Sequence, residues 1–187
     1  MSNNITINDF LNIMELPDGT PIIPVGMVDW LESKGFFKAP ASTKYHGNYE
    51  GGLFDHSYAV MRFLLELSAA NGLRWERPVS PFIVGMFHDL CKIDHYIPNH
   101  CDGAYHENPV SWEYNSNTLL KGHGDKSVML LSQFYTLTEE EIMCIRYHMG
   151  AFTEKEEWRD YTRAVNTYPN VLWTHHADML ASHVAGI

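Results

Sequence analysis

The sequence predicts an all-α protein, and three observations support that prediction. Apolar residues recur at intervals of three and four along several segments, which is the spacing of one buried helix face. Helix start and stop signals flank those segments. No stretch alternates between apolar and polar residues, as a half-buried strand would. At 187 residues, 45% of them hydrophobic, the chain is long enough for one domain with a substantial core.

The first 42 residues are expected to form a helical extension that packs on the rest of the domain. Ile7–Met14 is predicted as a short helix, which ends near the turn signal at Pro17. A second helix is predicted over Val25–Phe37, with Gly35 as its stop signal. Residues 43–187 are interpreted as the core, so that the whole chain forms one domain.

A long helix is expected to follow the polar, glycine-rich stretch 43–52. It begins near Leu53, carries His56 on its inward face and ends at Asn71-Gly72, because glycine readily terminates helices. Its core face is read from the apolar residues at helical spacing, Val60, Phe63, Leu64 and Leu67.

The apolar segment after Ser80 is predicted to be a buried helix. Ser80 is interpreted as its N-cap and Pro81 as its first residue, and the helix is expected to span Phe82–Lys92. His88 and Asp89 stand side by side near its far end. Burying both without partners would be unfavourable by several kcal/mol, and a divalent metal ion is the simplest partner.

Residues 94–117 are interpreted as one long loop, which in a compact domain is often functional. Its aromatic residues are expected to pack the loop onto the body, with stacking on a nucleobase as the alternative: Tyr105, Trp112 and Tyr114. Its histidines are expected to be exposed: His95, His100 and His106.

Three further helices are predicted in the last third of the chain. Gly122–Phe134 carries His123 at its start. A capping box at Thr138–Glu141 opens the helix Ile142–Met149, which carries His148. The last helix begins at Tyr168-Pro169-Asn170, and its polar residues His175 and Asp178 share a face because they are three positions apart.

Charge and cysteine usage exclude several classes of function. The formal net charge is -10, from 13 basic and 23 acidic residues, which argues against a broad nucleic-acid-binding face. Three widely spaced cysteines favour neither a zinc finger nor a disulfide framework, and Cys91 and Cys144 are interpreted as small buried residues. With no signal peptide and no membrane span recognised, a cytoplasmic location is expected.

The polar residues of the predicted helices form an ordered pattern that resembles a known superfamily. The pattern comprises His56 within Gly-Gly-Leu-Phe-Asp-His-Ser, the doublet His88-Asp89, Gly122-His123, Tyr147-His148 and His175-His176-Ala177-Asp178. It resembles the HD-domain metal-dependent phosphohydrolases, with local similarity to the HD domain of YhaM-type 3′-5′ exoribonucleases. Cys91 stands where that superfamily commonly has glycine.

The resemblance implies an HD-domain helical bundle with a metal site in its core. One metal ion would be held by His56, His88, Asp89 and Asp178, and Asp89 would bridge to a second ion held by His123 and His148. One or two divalent transition metals per chain are expected (Mn, Fe, Co, Ni or Zn), because the ligands are nitrogen and oxygen atoms.

Other residues receive candidate roles around that site. Asp89 and Lys92 are assigned catalytic roles. Lys92 would reach the substrate phosphate, with a solvated lysine at a helix end as the alternative. His46 and Tyr49 are candidates for substrate binding. His175 is a candidate for orienting the ligands.

The expected function is hydrolysis of a phosphoester or phosphoanhydride bond of a nucleotide by metal-activated hydroxide. A 3′-5′ exonuclease-like phosphodiesterase acting on single-stranded nucleic acid is the second reading. A catalytically silent nucleotide-binding HD module is the third. The expected partner is a small-molecule nucleotide rather than a membrane, with nucleic acid less favoured, and the resemblance raises a homodimer as an expectation.

Overall fold

The computed structural model describes residues 6–99 and 111–187, which form a mainly α-helical protein with a small two-stranded sheet. The α-helices in this part of the chain are α1 (Ile7–Ile13), α2 (Met27–Ser33), α3 (Gly52–Asn71), α4 (Ser80–Phe87), α5 (Gly124–Leu131), α6 (Glu139–Arg146), α7 (Trp158–Thr167) and α8 (Asn170–Met179). The strands are β1 (Tyr96–Asn99) and β2 (Ser111–Tyr114). The mainly helical class is thus confirmed.

The sheet corrects the expectation that the chain contains no strands. β1 and β2 pair antiparallel, with Tyr96 opposite Tyr114. Four residues of each strand lie in the described part of the chain, which is too few for apolar alternation to stand out in the sequence. Of the aromatic residues expected to pack segment 94–117 onto the body, Trp112 is half-buried but Tyr114 is largely exposed. Tyr105, His100 and His106 lie outside the described residues.

Helix α3 is the centre of the core and packs against α4 and α8. Its predicted inward residues Val60 and Leu64 are fully buried. The contact with α4 is close because Gly85 has no side chain: a Cβ atom there would lie 2.4 Å from the Cα of Met61. This glycine lets two helix backbones approach one another inside an apolar segment.

Aromatic side chains join the N-terminal segment to α3. Phe10 of α1 meets Phe54 of α3 edge to face, with ring centroids 5.9 Å apart. Phe36 and Phe37 also contact Phe54. Helix α2 is shorter than predicted and ends at Ser33, and the chain turns at Gly35 with a positive φ of 78°.

Several predicted helix boundaries are wrong in ways that matter for the site. Ser80 is not the N-cap of α4 but its first residue; Val79 holds the N-cap position, and the Ser80 hydroxyl donates to Glu141 at 2.7 Å. The predicted capping box of α6 is present, but α6 ends at Arg146. His148 therefore follows α6, and His123 immediately precedes the first residue of α5.

Helix α7 was not predicted, and it has few core contacts. Ala164 is its only buried residue, while the rest of the helix is half-buried or exposed. Among the described residues, no helix combines the length and the apolar character that crossing a membrane requires.

Candidate metal centre

The site is built around the end of α4. The helix ends at Phe87, and Asp89 leaves helical geometry with φ -103° and ψ 19° before a short 3-10 turn begins at Leu90. The continuous helix predicted over Phe82–Lys92 is therefore wrong. Because the chain breaks here, the side chains of His88 and Asp89 converge, with His88 Nε2 lying 3.4 Å from Asp89 Oδ2.

Asp89 is the hub of the cluster, and its two carboxylate oxygens face different partners. Oδ2 lies 3.6 Å from His56 Nε2 and 3.4 Å from His88 Nε2. Oδ1 lies 2.8 Å from His123 Nε2 and 3.4 Å from His148 Nε2. A carboxylate with imidazoles on both sides has the arrangement of a bridging ligand.

Asp178 completes one side of the cluster. Its Oδ1 lies 3.2 Å from His56 Nε2. Two groups of three potential ligand atoms each lie within 4.8 Å of one another: His56, His88 and Asp178, and separately His88, Asp89 and His148. The structure thus brings together all six residues of the predicted ligand set, which come from widely separated parts of the chain.

The buried imidazoles are oriented by their outer nitrogen atoms. His88 Nδ1 donates to the Gly85 carbonyl at 2.9 Å, and His148 Nδ1 donates to the Ile145 carbonyl at 2.7 Å. His56 Nδ1 does the same with the Ile187 carbonyl at 2.9 Å. Such bonds place the proton on Nδ1 and turn the Nε2 lone pair inward, as metal-binding histidines require.

The inward-facing atoms have no hydrogen-bond partners among the described residues. These buried atoms are Nε2 of His56, His88, His123 and His148, together with Asp89 Oδ1. His123 Nε2 and Asp89 Oδ1 are close but are not aligned for a hydrogen bond. Buried polar atoms are normally satisfied, so a cluster of orphaned nitrogen and oxygen atoms fits a bound divalent cation.

The charges in the cluster favour ionised carboxylates. Burial opposes ionisation of Asp89, but Lys92 and the adjacent imidazoles hold the pKa of that carboxyl well below its usual value. Burial likewise opposes ionisation of Asp178, whose pKa is nevertheless lowered by the adjacent imidazoles of His56 and His88. Burial lowers the pKa of His88, which keeps its imidazole neutral. Burial also opposes the charge of His148, but the neighbouring Asp89 carboxylate raises the pKa of that imidazole in the metal-free site. Ionised carboxylates and neutral imidazoles are the forms that bind metals.

Lys92 faces the cluster rather than solvent. Its side chain is 9% exposed, and its ammonium lies 2.6 Å from Asp89 Oδ2. Burial disfavours the charge, but the Asp89 carboxylate raises the pKa of Lys92 above its usual value. The alternative of a solvated lysine at a helix end is therefore wrong. Lys92 also lines the cavity that opens onto the cluster.

That cavity has a volume of about 260 Å³ and defines which of the other candidates face the site. His46 lines it, and the centroid of its ring lies 4.7 Å from that of His56. Burial lowers the pKa of His46 to about 4. Tyr49 does not line this cavity; its hydroxyl instead donates to Asp55 at 2.8 Å. The structure therefore gives no support to a substrate contact by Tyr49.

His175 lies beside the cluster, as expected of an orienting group. Its Nδ1 donates to the His148 carbonyl at 2.9 Å, and its ring lines the cavity. Gly150, with φ +54°, makes room for this ring, because a Cβ atom there would lie 2.4 Å from His175 Cγ.

Two residues near His123 were not recognised from the sequence. Cys91 is buried as expected, but its Sγ also lies 3.7 Å from His123 Nδ1. His95, expected to be exposed, is half-buried, and its ring lies 6.2 Å from that of His123. Cys91, His95 and His123 form a third group of potential ligands within 4.8 Å. The sequence signal was Cys91, which stands where the superfamily that the chain resembles commonly has glycine.

Comparison of the chain with models of protein families, with curated proteins and with solved structures found no match. The HD-domain resemblance accordingly rests on the residues described above and stays a prediction.

Proposed function

We propose that this protein is a metal-dependent phosphohydrolase that cleaves a phosphoester or phosphoanhydride bond of a nucleotide. The observation that carries the proposal is the convergence of four buried, unpartnered imidazole nitrogens on the two oxygens of Asp89. Structural histidines in a core normally have both ring nitrogens satisfied, whereas these four present unsatisfied Nε2 atoms to one point.

The ligand set divides naturally around Asp89. His56, His88, Asp89 and Asp178 would hold one metal ion, and Asp89, His123 and His148 would hold a second. When bound, a pair of divalent metals stabilises the charge on phosphate oxygens and lowers the pKa of water so that it becomes a nucleophile.

The protein's own side chains would support the reaction in two ways. Lys92 lines the cavity with its ammonium, so it supplies a positive charge to a phosphate that enters while it neutralises Asp89. His175 holds the backbone that carries His148 and so keeps that imidazole in place.

The test combines metal content with phosphate release. The wild type and the Asp89→Asn variant are loaded separately with Mn, Fe, Co, Ni and Zn, and bound metal is measured by elemental analysis. Asp55→Asn is the matched control, because Asp55 is also an aspartate next to a histidine of the set but bonds to Tyr49 outside the cluster. We expect about two metals per chain in the wild type and the control, as two-metal hydrolases bind them, and fewer in Asp89→Asn.

Each preparation is then assayed against nucleoside mono-, di- and triphosphates and single-stranded RNA. Phosphate release that follows metal occupancy supports the proposal. Absence of metal under every loading condition would refute it, and nucleotide binding without turnover would then indicate a binding module. Faster cleavage of RNA ends than of any mononucleotide would favour the exonuclease-like alternative.

A further inference from the structure

A second, larger cavity adjoins the metal centre. Its volume is about 710 Å³, and His123, Met149 and Phe152 line both this cavity and the one at the cluster. His123 therefore forms a shared wall: its Nε2 faces Asp89, and the residue also borders the larger space. A molecule with one group at the metal centre would have to extend past this shared wall to reach the larger cavity.

The two cavities differ in volume and so suit different parts of a nucleotide. Pockets for drug-sized ligands typically measure about 300–1,000 Å³. The cavity at the cluster, at about 260 Å³, falls below that range and suits a group the size of a phosphate. The adjoining cavity, at about 710 Å³, has room for a ribose and a nucleobase.

The charges around the larger cavity disfavour a polyanionic occupant. Two basic residues, Lys121 and Arg146, face three acidic ones, Asp125, Glu154 and Glu157, which gives the lining a net charge of -1 with histidine neutral. Arg146 already pairs with Asp125 at 3.2 Å and with Glu157 at 3.5 Å. A chain of phosphates would meet little positive charge here, so a polyanion fits poorly.

The aromatic and polar groups of the lining suit a base. The side chains of Tyr114 and Phe152 are 73% and 65% exposed, so their ring faces are accessible. Stacking of a base on an aromatic ring contributes about 1–3 kcal/mol. Carboxylates such as that of Glu154 accept hydrogen bonds from the exocyclic amino groups of bases.

We propose that the larger cavity binds the nucleoside of the substrate, with its phosphate at the metal centre. The substrate is then a mononucleotide with an amino-bearing base rather than a nucleic-acid strand. This inference rests on the proposed function for the placement of the phosphate, but nucleoside binding itself needs no metal.

The first experiment measures binding of phosphate-free adenosine, guanosine, cytidine and uridine to the whole chain by titration calorimetry. Tyr114→Ala removes the stacking ring, and Glu154→Gln removes the acceptor charge. Tyr45→Ala is the control, because Tyr45 is a similarly exposed tyrosine, 81% accessible, that lines neither cavity. We expect saturable binding that weakens about 5- to 150-fold in Tyr114→Ala, as the stacking energy implies, and is unchanged in Tyr45→Ala.

The second experiment compares KM for nucleoside monophosphates with KM for glycerol 2-phosphate, which has no base. Tyr114→Ala should raise KM for the nucleotide by the same factor and leave glycerol 2-phosphate unaffected. Equal KM values for both esters in the wild type, or no saturable nucleoside binding, would overturn the cavity assignment while leaving the hydrolase intact. Nucleoside binding without phosphate release from any nucleotide would instead overturn the proposed function and retain the cavity assignment.

Discussion

Removal of the Asp89 carboxylate should destabilise the metal-free protein, because it leaves a buried ammonium unpaired. Lys92 is 8% exposed, and no carboxylate in the described part of the chain other than Asp89 lies within 4.0 Å of its nitrogen. At the observed 2.6 Å, the Coulomb attraction is about 6 kcal/mol for an effective dielectric constant of about 20. Desolvation of both ions offsets part of it, so the measured loss should be about 3–5 kcal/mol for Asp89→Ala.

Urea unfolding in the presence of a chelator, followed by circular dichroism, measures this loss without a contribution from bound metal. Lys92→Met should destabilise the protein less than Asp89→Ala, since an adjacent imidazole can take up a proton and pair with the remaining carboxylate, as the raised pKa of His148 beside Asp89 indicates. The double variant Asp89→Ala/Lys92→Met should be more stable than Asp89→Ala alone, because no buried ammonium is left.

The control is Asp55→Ala, which removes a more exposed carboxylate and should cost about 1 kcal/mol or less. A free energy of unfolding for Asp89→Ala within about 1 kcal/mol of the wild type would contradict the buried ion pair, because removing one partner of such a pair normally has a larger effect. The same conclusion would follow if Lys92→Met did not improve the stability of the Asp89→Ala background.

Three further substitutions test the packing around the site. Gly85→Ala should lower the free energy of unfolding by about 1–3 kcal/mol, because the added Cβ atom would meet the α3 backbone. Urea titration measures this free energy, and an unchanged value would contradict the close contact between α3 and α4. Gly150→Ala should displace the His175 ring and weaken metal binding by about 10- to 100-fold, which is the effect of losing an orienting group. Metal titration measures the affinity, and an affinity equal to that of the wild type would show that His175 does not orient the ligands. Cys91→Ala should release Nδ1 of His123 and weaken by about tenfold only the binding of the second metal ion, the one assigned to His123 and His148. Equal weakening for both metal ions, or for neither, would contradict this role of Cys91.

The helices could be predicted largely because their signals are local. Apolar spacing in α3 and the capping box at Thr138 each depend on residues within a turn or two of one another. The two strands could not be predicted, because four residues of each lie in the described part of the chain and each is defined by a partner across residues 100–110. Their pairing is a non-local interaction that a short window of sequence does not contain.

The sequence by itself predicted which residues converge: the six predicted ligands lie together in the structure. Tertiary structure alone decided how they are arranged. It ended α4 before His88, divided the oxygens of Asp89 between two pairs of imidazoles, and turned Lys92 inward and Tyr49 away. The reason is that residue identity sets which atoms can bind a metal, whereas the direction of each side chain depends on where its helix ends and on what packs against it.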